Sequence, residues 1–215
     1  MIRAVLFDFG GVILTSPFEG FNRYEDEVSL PRDTIRWLNA TNPDTNAWAR
    51  FERGELSPGA FVEVFEAEAA ELGFELDATR MLAALRGTIR RPMVEALRRC
   101  SQHLKTAMLT NNFRPPGEES GTEAMTDGAG QDLAEVHSLF DLIIESSVVG
   151  VRKPEPRFYE IACERLQVDP AECVFLDDLG INLKPARAMG MTTIKVTDPE
   201  LALAELQRLV GFPLA

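Results

Sequence analysis

Cys173-Val174-Phe175-Leu176-Asp177-Asp178 decides how this chain is read. An apolar run without alternation fits a strand buried on both faces, as in a parallel sheet. Two adjacent carboxylates then end it. Like charges side by side repel, and nothing structural favours the pair unless a cation neutralises it. Hard oxygen ligands of this kind suit Mg²⁺, against the competing reading of a solvated turn. Asn182 falls where a helix would begin and could orient the carboxylates from behind. Helical spacing runs from Leu183 to Met189, Gly190 stops it, and a β-branched strand from Thr192 to Val196 follows.

The same alternation extends outward. Ala4 to Phe7, Thr106 to Leu109 and Leu142 to Ile144 are further short apolar runs. Helical patterns at Met93 to Cys100, Phe158 to Leu166 and Ala202 to Leu209 separate or follow them. Strands alternating with helices predict an α/β fold with a parallel central sheet covered on both faces. Residues 17 to 88 differ. They hold no convincing strand, and helical stretches are expected at Arg32 to Leu38, Trp48 to Glu52, Gly59 to Ala70 and Thr79 to Leu85. Ser57-Pro58 reads as a helix cap followed by proline at the first helical position. This predicts a helical insert at 17–88 within a core of 1–16 and 89–215. The segment from Arg114 to Gln131 is polar, glycine-rich and aperiodic, and is expected to be a mobile loop or lid.

Composition narrows the function classes. The 215 residues carry a formal net charge of −12, which disfavours nucleic acid and anionic lipid as partners. Cys100, Cys163 and Cys173 form no metal or redox spacing and read as buried thiols of a reducing compartment. The amino-terminal apolar run is too short for a signal peptide, and no stretch is long enough to span a bilayer. A cytoplasmic protein, monomer or homodimer, is expected.

Three more motifs sit at strand ends. Asp8 is followed by Phe9-Gly10-Gly11, where glycines let backbone N–H groups approach an anion; a plain turn is the competing reading. Thr110, before Asn111, offers a hydroxyl to a phosphoryl oxygen or merely caps a turn. In Gly150-Val151-Arg152-Lys153-Pro154, the proline keeps Lys153 out of the helical region, where its ammonium can offset carboxylate and phosphoryl charge. In open parallel sheets, ligands bind beyond the carboxyl ends of the strands, where all four motifs lie.

Taken in order, the four motifs resemble those of the haloacid dehalogenase superfamily, over nearly the whole chain. Phe175 to Met191 resembles the amino-terminal phosphatase domains of soluble epoxide hydrolases. Phe7 to Val12, Thr110 to Phe113 and Thr193 to Glu200 resemble the amino-terminal region of acyl-CoA dehydrogenase family member ten. The resemblance implies a Rossmann-like core with a helical cap inserted after the first strand. It implies an Mg²⁺-dependent phosphohydrolase of small phosphorylated substrates, with Asp8 as nucleophile. Metal would be held by Asp8, the Gly10 carbonyl, Asp177 and Asp178. Phosphate would be bound by Phe9, Gly10, Thr110, Asn111 and Lys153. Trp48, Phe51, Glu52 and Arg53 would shape substrate choice.

One position departs from the family pattern. Phosphatases of the superfamily usually carry a second aspartate two residues after the nucleophile, as general acid and base, and here that residue is Gly10. The alternatives are therefore a phospho-ligand-binding module of weak activity, or a metal-free haloacid dehalogenase.

Overall fold

The computed structural model describes residues 1–113, 125–126 and 130–214. Five parallel strands form one sheet: β1 (Ala4–Phe7), β2 (Lys105–Thr110), β3 (Leu142–Glu145), β4 (Cys173–Asp177) and β5 (Thr192–Lys195), in the order β3-β2-β1-β4-β5. All five match the apolar runs of the sequence to within a residue at each end. Alternate residues of β1 face opposite ways. Val5 and Phe7 join an apolar cluster with Met93, Leu97 and Leu206, while Ala4 and Leu6 join another with Phe158, Tyr159 and Leu183. Both faces of the sheet are therefore buried, which is why its strands read as continuous apolar runs.

Helices α1 (Pro17–Glu27), α2 (Thr34–Ala40), α3 (Ala47–Glu52), α4 (Pro58–Glu71) and α5 (Ala78–Ala83) occupy the stretch between β1 and α6 (Arg91–Ser101). They carry an apolar cluster of their own, built on Phe21, Tyr24, Ile35, Phe51, Phe61, Phe65 and Met81. Ser57 Oγ accepts from Ala60 N at 3.2 Å and Pro58 opens α4, as its sequence predicted. Helix α1 was not expected. Its apolar positions are few, but Phe21 and Tyr24 lie three apart and both are buried.

The second half of the chain adds α7 (Gly130–Ser138), α8 (Ser146–Val149), α9 (Pro156–Leu166), α10 (Gly180–Ala188) and α11 (Pro199–Val210). Most of the polar segment expected as a loop, 114–131, lies outside the described residues. Its last two residues are the first of α7, because Leu133 and Val136, three apart, are buried in the core. All three cysteines are buried free thiols. No helix among the described residues is long and apolar enough to cross a membrane.

The strand order has a consequence for chemistry. The chain leaves β1 for β2 and β3 on one side, then crosses to β4 and β5 on the other. The order therefore reverses between β1 and β4, and in open sheets of this kind ligands bind beyond the carboxyl ends of the strands at that switch.

Candidate functional site

Register alone brings the strand-end motifs together. Phe7 pairs with Leu176 and with Met108, so Asp8 stands level with Asp177 and one residue short of Thr110. The Asp8 N–H donates to Leu176 O at 2.8 Å, extending the ladder by one bond. The Asp8 side chain accepts from the Phe9 N–H at 2.7 Å, which holds the carboxylate over the turn that follows.

Lys153 lies at the centre of the charges. It is 1% exposed, and its ammonium reaches Asp8 Oδ1 at 2.7 Å and Asp177 Oδ2 at 2.8 Å. The Lys153–Pro154 peptide bond is cis. Burial alone would depress the Lys153 pKa, but Asp177 and Asp8 outweigh it and hold the ammonium above its usual value. Burial raises the Asp8 pKa well above the ordinary carboxylate range, against the pull of Lys153.

The neighbouring aspartates divide their contacts. Asp177 is fully buried and saturated: Oδ1 accepts from Leu179 N at 2.8 Å, and Asn182 Nδ2 bonds both oxygens at 3.1 Å. Asp178 is only half-buried. Ser16 Oγ donates to its Oδ2 at 3.2 Å, and no cation pairs with it among the described residues. Its pKa is pushed up to about 6, first by burial and then by Asp177.

Asp8, Asp177 and Asp178 each offer an oxygen within 4.8 Å of the others. Three carboxylates face one ammonium, which leaves two negative charges in excess when all are ionised. A divalent cation with oxygen preference fits that surplus and that donor set.

Thr110 is fully buried at the end of β2, its hydroxyl 3.4 Å from Asn111 O. The Asn111 side chain faces Lys153: its Oδ1 accepts from Lys153 N at 2.8 Å and its Nδ2 donates to Lys153 O at 2.9 Å. A second Nδ2 bond, at 3.1 Å, goes to Glu52 Oε2 of α3. Phe9 is buried, and Arg90 NH1 donates to Gly11 O at 2.7 Å, bracing the turn.

The two glycines after Phe9 are not equivalent. Gly10 has φ −70° and ψ 129°, open to any residue, and an added Cβ would meet Pro17 Cδ at 3.4 Å, an ordinary contact. Gly11 has φ 82°, and a Cβ there would lie 2.2 Å from Asp178 Oδ2. The close approach of backbone to a site carboxylate thus depends on Gly11, which sequence reasoning did not single out. Gly11→Ala is expected to cost about 1–3 kcal/mol and to displace Asp178, whereas Gly10→Ala shifts stability by less than about 1 kcal/mol. Urea denaturation of the two variants tests this, and equal losses would refute it.

Comparison with known proteins agrees with this geometry. A family model described as haloacid dehalogenase-like hydrolase matches residues 2–190. Acyl-CoA dehydrogenase family member 10 of Mus musculus is 36% identical over 99% of this chain and 19% of its own length. Bifunctional epoxide hydrolase 2 of Sus scrofa is 32% identical over 99% of this chain and 40% of its own. The chain thus spans less than half of either protein. Sesquiterpene phosphatase astK of Aspergillus oryzae is 31% identical, with 97% of each chain covered.

Solved structures share the fold. An L-2-haloacid dehalogenase from Xanthobacter autotrophicus superposes with a TM-score of 0.63 at 25% identity, covering 100% of this chain and 85% of that one. A haloacid dehalogenase family enzyme from Bacteroides thetaiotaomicron, in complex with magnesium and inorganic phosphate, gives 0.58 at 19% identity, covering 91% and 94%. The sheet order, the strand-end carboxylates around a buried lysine and the family match together establish that this chain belongs to the haloacid dehalogenase-like hydrolases.

Proposed function

We propose that this protein is an Mg²⁺-dependent phosphohydrolase of small phosphorylated metabolites, working through a phosphorylated Asp8. The observation that carries the reading is the Asp8 carboxylate, held by Lys153 beside Asp177 and Asp178. A metal-free dehalogenation site would gain little from an Asp178 that forms no ion pair among the described residues.

In the first step an Asp8 oxygen attacks phosphorus in line, the P–O bond to the leaving group breaks, and the departing oxygen, where it needs a proton, takes one from water. Water then attacks the aspartyl-phosphate, the P–O bond to Asp8 breaks, and inorganic phosphate leaves. Lys153 offsets the repulsion between the Asp8 carboxylate and the incoming anion. Thr110 is assigned to hold a phosphoryl oxygen. Asn111 orients Lys153 through its main chain and contributes to the phosphate site by that route. The Phe9 and Gly10 backbone completes the turn on which the phosphoryl group rests.

Asp8, Asp178 and the Gly10 carbonyl are assigned as direct Mg²⁺ ligands. Asp177, whose oxygens already accept from Lys153, Leu179 and Asn182, would support the ion from beside these ligands. When bound, the ion supplies positive charge beside the phosphoryl oxygens, which is most of what phosphoryl transfer requires. Helices α1 to α5 act as the cap that closes the site to bulk water. The chain's likeness to a sesquiterpene phosphatase makes phosphate esters with an apolar tail the first natural substrates to screen.

The reading is tested by phosphate release from p-nitrophenyl phosphate and acetyl phosphate, with Mg²⁺ and with EDTA. Both have good leaving groups, so the missing acid at Gly10 matters least there. Turnover that EDTA leaves intact would sink the reading.

Proton competition gives a second test. The folded-state pKa of Asp178 is raised, so the metal-free fold keeps this proton to higher pH than the unfolded chain does. The cost of ionising it in the fold therefore grows as pH climbs from the ordinary carboxylate value to about 6, and is complete above that. Mg²⁺ needs both Asp8 and Asp178 ionised, and both are raised, so its apparent affinity should fall as pH drops, by up to about tenfold per pH unit for each proton that the ion must displace. Calorimetric titration between about pH 5 and 7.5 reads this directly, and a flat profile would overturn the assignment of these two carboxylates as ligands.

A further inference from the structure

Glu52 sits at the end of α3, in the cap, yet its contacts lead into the catalytic cluster. Its residue is 9% exposed. Oε2 accepts from Arg152 Nε at 2.5 Å and from Asn111 Nδ2 at 3.1 Å, and Oε1 accepts from Trp48 Nε1 at 3.0 Å. All three partners are donors. A carboxylate can accept from all three, whereas an amide would turn its NH₂ toward at least one of them.

Two of the three donors hold Lys153. Arg152 precedes it in the chain and also reaches the cap through Pro43 O at 3.1 Å. Asn111 clamps the Lys153 main chain by two bonds, leaving one amide hydrogen, which goes to Glu52. The residues after Glu52 make close seating possible. Gly54 has φ 72°, and a Cβ there would fall 2.5 Å from Ser147 O of α8.

We propose that Glu52 is a positioning residue. Through Asn111 and Arg152 it ties the seat of the cap to the placement of Lys153, so that the ammonium bridges Asp8 and Asp177 only when the cap is docked. The inference rests on the phosphohydrolase reading for its kinetic consequence, though not for its structural one.

The test uses Glu52→Gln in the full chain. With p-nitrophenyl phosphate, kcat is expected to fall about tenfold while KM stays within about twofold. In an Asn111→Ala background the same change should cost clearly less than it does in wild type, because one of its two connections is already cut and only the one to Arg152 remains. Acylation of lysines, read by mass spectrometry, gives a readout independent of activity. Lys153 is expected to react about tenfold faster in Glu52→Gln while Lys105, partly buried at Leu166 O, stays unchanged. Faster reaction at both lysines would mean general loosening and would overturn the inference.

A kcat within twofold of wild type, a loss confined to KM, additive losses in the double variant, or an unchanged Lys153 rate would each overturn it too. If wild type releases no phosphate, the phosphohydrolase reading fails and the acylation rates alone decide. Should Glu52→Gln fail to fold, Arg152→Gln cuts the same carboxylate from the core side and is expected to give the same pattern.

Discussion

Asp8→Asn abolishes Mg²⁺-dependent phosphate release, by about 10³-fold or more, in a chain that still folds. The amide has the shape of the carboxylate and can still accept from the Phe9 N–H, so the turn after β1 is kept. What it lacks is a nucleophilic oxygen with a charge to share. The effect on stability is small because two changes oppose each other. The contact of Lys153 with Asp8 is weakened, while the cost of holding a buried carboxylate ionised, which raises the Asp8 pKa, disappears. Thermal unfolding followed beside the activity assay separates loss of chemistry from loss of fold. Residual turnover within tenfold of wild type would remove Asp8 as nucleophile. A parallel assay of halide release from a 2-haloacid in EDTA addresses the dehalogenase alternative, because Asp8 would attack carbon there and the same variant would be dead. Only the substrate that turns over, and its need for metal, tells the two apart. Wild type that binds Mg²⁺ yet releases neither product would favour a phospho-ligand-binding module.

The central sheet was legible for a physical reason. Strands buried on both faces must be apolar throughout, so β1, β2 and β4 stand out as runs without alternation. Helix starts were less legible: α9 and α11 begin two or three residues earlier than their apolar spacing suggests, at Pro156 and Pro199, because the first turn is exposed and leaves no periodic mark. Helices α1 and α7, neither of them expected, were hidden in the same way, each marked by a single pair of buried apolar residues three apart in a polar stretch. At the site, sequence could single out charged and hydroxyl residues at strand ends but not their partners. Asn111 looks like a phosphate ligand until its two bonds to the main chain of Lys153, 42 residues away, are seen. Glu52 looks like one more acid on a cap helix, and its bond to Arg152 spans 100 residues. The adjacent glycines are alike in sequence. Only their φ angles and the position of Asp178 show that Gly11 is required and Gly10 is not.

That last difference makes Gly10 the position where activity can be gained. Its backbone lies in an extended region open to L residues, and the space at its Cβ is bounded by the Pro17 ring and the Met125 methyl at 3.4 and 3.5 Å. Pro17 opens α1 and follows Ser16, which bonds Asp178, so a side chain at position 10 would enter between the turn and the cap, beside the reacting group. Gly10→Asp places a carboxylic acid there. A positioned general acid contributes about 10²- to 10⁴-fold where the leaving group needs a proton, and little where it does not. The variant is therefore expected to speed hydrolysis of an alkyl phosphate by about 10²-fold or more while changing p-nitrophenyl phosphate turnover by less than about tenfold. Gly10→Asn, of the same size but unable to give up a proton, should show neither gain. The added negative charge near Asp8 and Asp178 weakens the metal-free fold, and Mg²⁺ should recover that loss, visible as a larger Mg²⁺-induced rise in Tm than in wild type. Equal acceleration of both substrates would mean that the new carboxylate acts by binding. No acceleration of either, in a variant that folds and binds Mg²⁺, would mean that the proton already arrives from another group. In that case Gly10 marks a different acid in this chain and not a missing one.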